Sequence, residues 1–221
     1  MVDSFLEQHL SENAHLMEFW HDLQVPVLRA DLFRYLALQT FGGVYSDIDT
    51  SCKRPISEWI PSEFRDSNIG AVVGVEYDDT TYKMFIRPMS FCQWTLMARP
   101  QHPLYHKVLQ RVIYRLEYLA RLQKVTLSQI VPDKMQILEA TGPGSWSDAV
   151  LEEVRSQTGQ HLQFQDFQGI KKPVLYGDVL LLPINAFGFG QKHSHSSDAA
   201  YGVELARHHF GKTWYKPKPT S

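Results

Sequence analysis

The chain has 221 residues, of which 43% are hydrophobic, and a formal net charge of −2 at pH 7. This length predicts a single domain over 1–221 with its own core, and the charge gives no electrostatic basis for a nucleic-acid or polybasic membrane partner. No run of about 18 apolar residues is present, so the chain as given is predicted to be soluble. Cys52 and Cys92 fit no metal-binding spacing and are either two buried thiols or one bridge.

The first half of the chain alternates helical and extended patterns. Apolar positions recur with the helical period in two segments, which Pro26 separates, and a glycine pair then suits a helix end and a tight turn. A β-branched run further along is typical of a buried strand. In chain order, the predictions are helices over 2–23 and 28–39, a short strand or strand end over 44–50, and a strand over 69–77.

The second half continues this alternation. Residues 91–98 are compatible with a strand or a helix, whereas Pro103 opens the clearest amphipathic pattern of the chain. Ser147 is the predicted N-cap of a later helix, since Asp148 follows it near the positive end of the helix dipole. The remaining predictions are helices over 103–122, 147–157 and 198–210 and a strand over 177–184. Alternation of this kind predicts one α/β domain.

Two carboxylates stand one residue apart in the run Asp47-Ile48-Asp49. On an extended segment, side chains two residues apart point to the same face, so this pair is expected to converge. Converging carboxylates form a hard oxygen site for Mn²⁺ or Mg²⁺, and such an ion can hold the diphosphate of a nucleotide sugar. Because Asp-x-Asp by itself is common, the neighbouring residues decide its meaning.

Three of those neighbours strengthen the prediction. Asp31 and Arg34 are three residues apart on a predicted helix and share one of its faces, and Tyr45 lies two residues before Asp47. Taken singly, these residues are better explained by a helix salt bridge followed by a solvated acidic turn. Together with the Asp-x-Asp pair they form a specific pattern that predicts a binding site for a nucleotide sugar.

A second candidate group lies near the end of the chain, at His208, His209, Thr213 and Trp214. The histidines are compatible with a role at a helix C-terminus, where a positive charge complements the dipole. With a carboxylate pair upstream, one imidazole is predicted to complete the metal coordination, and His209 is favoured. Trp214 is then expected to donate its N–H to the diphosphate. Glu76, at the end of a predicted buried strand, is a further candidate that can reach a cleft.

The combined pattern resembles glycosyltransferase family 32, the glycosyltransferases with the DXD sugar-binding region. Within that family, the sequence is most similar to the fungal initiation-specific α-1,6-mannosyltransferases. Four further segments match the family in order: 91–103, 141–148, 179–183 and 208–214. The resemblance implies a GT-A-like fold, in which a mixed nucleotide-sugar-binding sheet is flanked by helices. It also implies a GDP-mannose donor, Mn²⁺, and retaining transfer to an α-mannoside of an N-glycan in the Golgi lumen.

The resemblance also assigns roles to individual residues. It implies that Asp49 binds the metal directly, and that Asp47 contacts donor hydroxyls and the metal shell. Asp31 and Arg34 would bind hydroxyls of the donor sugar, and Tyr45 would pack on the nucleoside. Further residues are expected to contact or flank the donor or acceptor: Gly142, Pro143, Asp148, Thr213 and Trp214. A helix N-terminal charge is an equally good interpretation of Asp148.

Members of the family begin with a membrane anchor and a first strand–helix–strand unit, whereas the match here begins at the helix before Asp31. The resemblance therefore implies a domain that lacks its usual anchor and first strands. Two alternatives stay open: a relative that uses another acceptor, such as a sphingolipid, and a silent domain that only binds metal or a partner protein.

Overall fold

The structure is a computed structural model that describes residues 2–11, 13–78 and 86–211. Its α-helices are α1 (Val2–Leu10), α2 (Ala14–Asp22), α3 (Pro26–Phe41), α4 (Pro103–Gln123), α5 (Lys134–Ala140), α6 (Pro143–Thr158) and α7 (Asn185–Gly188). Its strands are β1 (Gly43–Ser46), β2 (Thr50–Cys52), β3 (Ala71–Tyr77), β4 (Ser90–Phe91), β5 (Thr95–Ala98), β6 (Val174–Tyr176), β7 (Val179–Leu182) and β8 (Ala206–His208).

A mixed sheet forms the centre of the molecule, with its strands in the order β1-β5-β3-β7-β6 and β4 paired to β3. β5 runs antiparallel to both β1 and β3, and β7 runs parallel to β3. As a result β1, β3 and β7 point the same way and end at one edge of the sheet. The predicted α/β class, with a mixed sheet flanked by helices, is confirmed. This carboxyl edge is where open α/β sheets bind their ligands.

Both faces of the sheet are covered. Every residue of β3 is buried, as expected of a β-branched run in the middle of a sheet. Val73 and Val75 pack into the larger core, with side chains of α3, α4 and α6. Val72 faces a second cluster that contains Trp59 and Phe187. Because strand side chains alternate between the two faces, β3 places side chains in both cores. A shift of one residue would exchange them, so this packing fixes the register of β3.

Two predicted boundaries in the first half are wrong. The segment 2–23 forms two helices, because the side chain of Asn13 accepts a hydrogen bond from Leu16 N at 3.0 Å and caps a new helix. The second helix begins at Pro26 and not at Leu28, because the fixed φ of proline suits the first helical position. Gly42 ends α3 with φ 62°, and a Cβ there would lie 2.5 Å from Pro100 N. Only glycine fits this turn into β1.

The predicted helix over 198–210 is also wrong. A short 3₁₀ turn at Ala199–Tyr201 is followed by strand β8, which pairs antiparallel with β2 so that His208 lies opposite Thr50. Tertiary pairing overrides the helical pattern here. The helix predicted over 147–157 begins earlier, at Pro143, so Ser147 is a buried interior residue and not a cap. Its hydroxyl accepts a hydrogen bond from Phe91 N at 3.0 Å.

In the described part of the chain, none of the helices combines the length and apolar character needed to cross a bilayer. Cys52 is exposed and Cys92 is buried, and both are free thiols. The structure therefore shows no bridge between them, and the alternative of two buried thiols holds only for Cys92.

Candidate functional site

The Asp-x-Asp run lies at the carboxyl edge of the sheet, immediately after β1. It is a turn between β1 and β2, so the strand predicted within 44–50 ends at Ser46 and does not continue through the two carboxylates. Ile48 at the tip of the turn is fully exposed. Backbone hydrogen bonds hold the turn: Asp47 N donates to Trp94 O at 2.8 Å, and Thr50 N donates to Asp47 O at 3.0 Å. The turn itself, and not strand alternation, directs the two carboxylates.

Asp47, Asp49 and His208 form a cluster in which one ligand atom of each lies within 4.8 Å of the others. His208 Nε2 is 3.2 Å from Asp49 Oδ1. Burial lowers the pKa of His208, although Asp49 and Asp47 oppose the shift, and this favours the neutral imidazole that binds metals. Two carboxylate oxygens and one imidazole nitrogen are a donor set that suits Mn²⁺. The residues present therefore fit a divalent cation.

His209, the histidine favoured from the sequence, does not join this cluster. Its Nε2 is 3.0 Å from the hydroxyl of Ser51, and its backbone N donates to Asp49 O at 2.8 Å. His209 therefore holds the turn through its backbone, while its ring points elsewhere. His208 takes the position that the sequence assigned to His209.

A buried arginine links the helix to the turn. Arg34, on α3, has its guanidinium 3.1 Å from Asp31 and 3.2 Å from Asp47, and donates to Gln93 O at 3.0 Å. Burial opposes the charge, but the nearby carboxylates outweigh it and raise the pKa of Arg34. Because Arg34 compensates part of the acidic charge, Asp47 and Asp49 can converge in a site that still favours a cation.

Asp31 is almost fully buried, and its carboxylate accepts a hydrogen bond from the Thr141 hydroxyl at 2.7 Å. Burial raises the pKa of Asp31, while Arg34 and Thr141 act against that shift. Tyr45 donates its hydroxyl to Asp47 Oδ1 at 2.8 Å, and its ring lies 5.2 Å from the Arg34 guanidinium carbon. This network fixes the orientation of each acid before any ligand arrives.

These residues line one cavity of about 590 Å³, which we call the main cleft. Its walls come from the start of α3, the Asp47–Asp49 turn, β8 and the turn before α6. The candidate residues from the sequence that it contains are Asp31, Arg34, Tyr45, Asp47, Asp49, Glu76, Gly142, Pro143 and His208. Gly142 is required at its position, since a Cβ there would lie 2.9 Å from the backbone of Leu138.

Asp148 does not line the main cleft. Its carboxylate is bound by Arg87 at 2.8 Å and by Arg115 at 2.7 Å. Burial opposes ionisation of Asp148, but these two arginines outweigh it and lower its pKa. Asp148 therefore joins α4 and α6 to the segment before β4, and its predicted position beside a donor or acceptor sugar stays a prediction. Thr213 and Trp214 lie outside the described residues.

Three residues of the main cleft were missed or given little weight in the sequence. Gln93 and Trp94 stand just before β5, and Glu76 is the penultimate residue of β3. Trp94 packs on His208 with ring centroids 4.9 Å apart, and its indole N–H has no hydrogen-bond partner among the described residues. β5 begins at the edge where β1 and β3 end, so the residues before it reach the same site. This placement follows from strand pairing, which the sequence pattern of 91–98 does not indicate.

The sheet, the Asp-x-Asp turn at its carboxyl edge and the buried arginine–carboxylate group define the class: an α/β protein with a candidate metal site at the carboxyl edge of its sheet. Residues 2–65 match the family described as "Glycosyltransferase sugar-binding region containing DXD motif". The chain belongs to this glycosyltransferase family.

Curated relatives are similar to this protein over most of the chain. An initiation-specific alpha-1,6-mannosyltransferase of Schizosaccharomyces pombe is 34% identical over 97% of this chain and 52% of its own length. Another, of Candida albicans, is 29% identical over 96% of this chain and 60% of its own length. The chain thus spans about half the length of the first of these relatives. Among solved structures, PaToxG glycosyltransferase is similar with a TM-score of 0.37 and 16% identity, over 72% of this chain and 43% of that chain.

Proposed function

We propose that the protein is a metal-dependent mannosyltransferase that moves mannose from GDP-mannose to an α-mannoside of an N-glycan. The linkage would be α-1,6 and the anomeric configuration retained. The observation that carries the proposal is the meeting of Asp31, Arg34, Tyr45, Asp47 and Asp49 in the main cleft. The names of the relatives support mannose as the transferred sugar. The proposal includes action in the Golgi lumen, as the sequence resemblance implies.

Asp47, Asp49 and His208 would hold the metal ion, which is Mn²⁺ in this proposal, with Mg²⁺ as the alternative. Their mixed oxygen and nitrogen donor set, within 4.8 Å, supports that assignment. When bound, the ion supplies positive charge that stabilises the diphosphate as it leaves the sugar. Thr213 and Trp214 stay proposed contacts of that diphosphate.

Asp31 and Arg34 would bind hydroxyls of the donor sugar. Because Arg34 is buried between two carboxylates, its guanidinium needs no rearrangement when negative charge develops nearby. Tyr45 would pack on the nucleoside, and its hydrogen bond to Asp47 keeps the ring in place. Gly142 and Pro143 would border the sugar at the α6 side of the main cleft.

The direct test is to incubate the protein with GDP-mannose, Mn²⁺ and an α-mannoside, and to follow GDP release and the mass of the product. We expect a product one hexose heavier, formed with Mn²⁺ and not with a chelator. Panels of nucleotide sugars and acceptors, including a mannosylated sphingolipid, then decide the donor and the acceptor. Equal turnover with and without metal, or none with any donor, would overturn the proposal.

Asp49→Asn removes one negative metal ligand while keeping the shape of the side chain. We expect turnover to fall by more than about tenfold, as losses around metal sites commonly do. Asp66→Asn is the matched control, because Asp66 is exposed and precedes β3, at the opposite edge of the sheet. An equal loss in both variants would show that the effect is not specific to the metal.

A further inference from the structure

A second cavity opens beside the main cleft, with a volume of about 610 Å³. We call it the side cavity. It shares four lining residues with the main cleft: Glu76, Leu138, Pro143 and Phe210. Because the two cavities share these walls, a ligand in one lies next to a ligand in the other. A transfer reaction between two sugars needs such a pair of adjoining spaces.

Glu76 is the acidic residue at this junction. It is 7% exposed and lies near the carboxyl end of β3, the strand whose end faces the same edge as the Asp47 turn. In the described part of the chain, its carboxyl accepts one long hydrogen bond, from Ser90 Oγ at 3.4 Å. Burial raises its pKa to about 8, and Ser90 opposes this only in part. A buried carboxyl so weakly satisfied is costly unless it serves a ligand.

The rest of the side cavity combines polar, apolar and basic side chains, and its basic residues are Arg87, Lys134, Lys192 and His193. The charge of Arg87 is compensated by Glu139 and Asp148. Gln191 lines it and carries an amide nitrogen with no hydrogen-bond partner among the described residues. Ser90 adds a hydroxyl, whereas Ile86 and Leu138 supply apolar walls. A few polar groups set in apolar walls are the usual lining of a small-molecule site. Polar groups lacking good partners are also the ones that a sugar's hydroxyls can satisfy.

We propose that the side cavity is the acceptor subsite, and that Glu76 hydrogen-bonds the hydroxyl of the acceptor sugar at its junction with the main cleft. This inference rests on the proposed function, because it places the acceptor relative to a donor in the main cleft. The carboxyl orients the attacking hydroxyl toward the donor sugar, while Gln191 binds a second hydroxyl of the acceptor. Glu76 thus determines how the acceptor enters, and the donor is held by other residues.

The test compares two substitutions of similar size. Glu76→Gln keeps a hydrogen-bonding group, whereas Glu76→Met fills the same space without one. We expect the acceptor KM to rise more than tenfold in Glu76→Met and less than threefold in Glu76→Gln. Calorimetry should show GDP-mannose binding, with Mn²⁺ present, changed less than twofold in both. Gln191→Leu should also raise the acceptor KM. Glu63→Gln, on an exposed turn, is the matched control and should leave it unchanged.

Two outcomes overturn this assignment. One is an unchanged acceptor KM in Glu76→Met, whether or not donor binding is lost. The other is an equal rise of the acceptor KM in the Met and Gln variants. Thermal unfolding of each variant checks the fold, and circular dichroism confirms native secondary structure before kinetics are compared. Failure of the proposed function itself is recognised separately, since the unsubstituted protein would then neither bind GDP-mannose nor transfer its sugar.

Discussion

Individual side chains in the main cleft are held by more than one partner. The guanidinium of Arg34 lies between Asp31 and Asp47, and Asp47 also accepts the Tyr45 hydroxyl at 2.8 Å. With Arg34 shared between two acids, the acidic turn retains negative charge that a divalent cation can neutralise. The polar groups are thus oriented in advance, which is the condition for electrostatic stabilisation without reorganisation.

The titration of Glu76 makes the free energy of unfolding depend on pH, and this dependence can be measured without any ligand. Its pKa is about 8 in the folded protein, because it is buried, against an ordinary value of 4.5. Between these values the folded protein holds a proton that the unfolded chain has released, so raising the pH favours unfolding. The metal-free protein should lose about 1 to 3 kcal/mol of stability from this group between pH 5.5 and 8.

Denaturant unfolding at the two pH values checks this prediction, with Glu76→Gln beside the unsubstituted protein. The amide does not titrate, so the variant should lose less stability as the pH rises. Equal pH dependence of the two proteins would contradict it. Buried Cys92, the neighbouring thiol, has a pKa raised well above its ordinary value by burial and stays neutral over this range.

At the scale of elements, β8 decides which histidine meets the carboxylates. His208 is the last residue of β8 and its ring reaches Asp49, whereas the ring of His209, just beyond the strand, contacts Ser51. The pairing of β8 with β2 sets His208 opposite Thr50 and turns its ring toward Asp49. A register shifted by one residue would exchange the two histidines.

His208→Ala and His209→Ala therefore form a matched pair. We expect His208→Ala to weaken Mn²⁺ binding by more than about tenfold, because it removes a ligand. His209→Ala should change it by less than about threefold, since that residue's contact with Asp49 is made by the backbone. Titration calorimetry with Mn²⁺ alone measures both. The opposite ranking would show that the two histidines exchange roles in the metal-bound protein.

For the whole molecule, the site is assembled from distant parts of the chain. α3, the turn after β1, the end of β3 and the end of β8 all contribute to the main cleft. The unfolded chain has no such arrangement, so a cation that binds there should stabilise the fold by mass action.

We therefore expect Mn²⁺ to raise the Tm. At a free concentration of one hundred times Kd, the gain is about 2.7 kcal/mol. For a chain of this size, that corresponds to a Tm increase of about 5 to 10 °C. Differential scanning calorimetry with Mn²⁺, with a chelator and with Asp49→Asn measures it. A Tm that does not respond to Mn²⁺ in the unsubstituted protein would contradict metal binding in the folded state.

The sequence by itself determined the features that depend on local periodicity and on closely spaced residues. The buried strand β3, the amphipathic helix α4, the glycine turn after α3 and the grouping of Asp31, Arg34, Tyr45, Asp47 and Asp49 were all predictable. Each follows from neighbours that are close in the chain, where side-chain period and backbone preference act directly.

Only the tertiary structure decided which distant groups meet. It selected His208 over His209 through the register of β8, and placed Asp148 among arginines instead of in the main cleft. It also brought Glu76 to the junction of two cavities. These outcomes depend on pairings between residues far apart in the chain, and local patterns carry no information about strand register or about which charges will share a buried space.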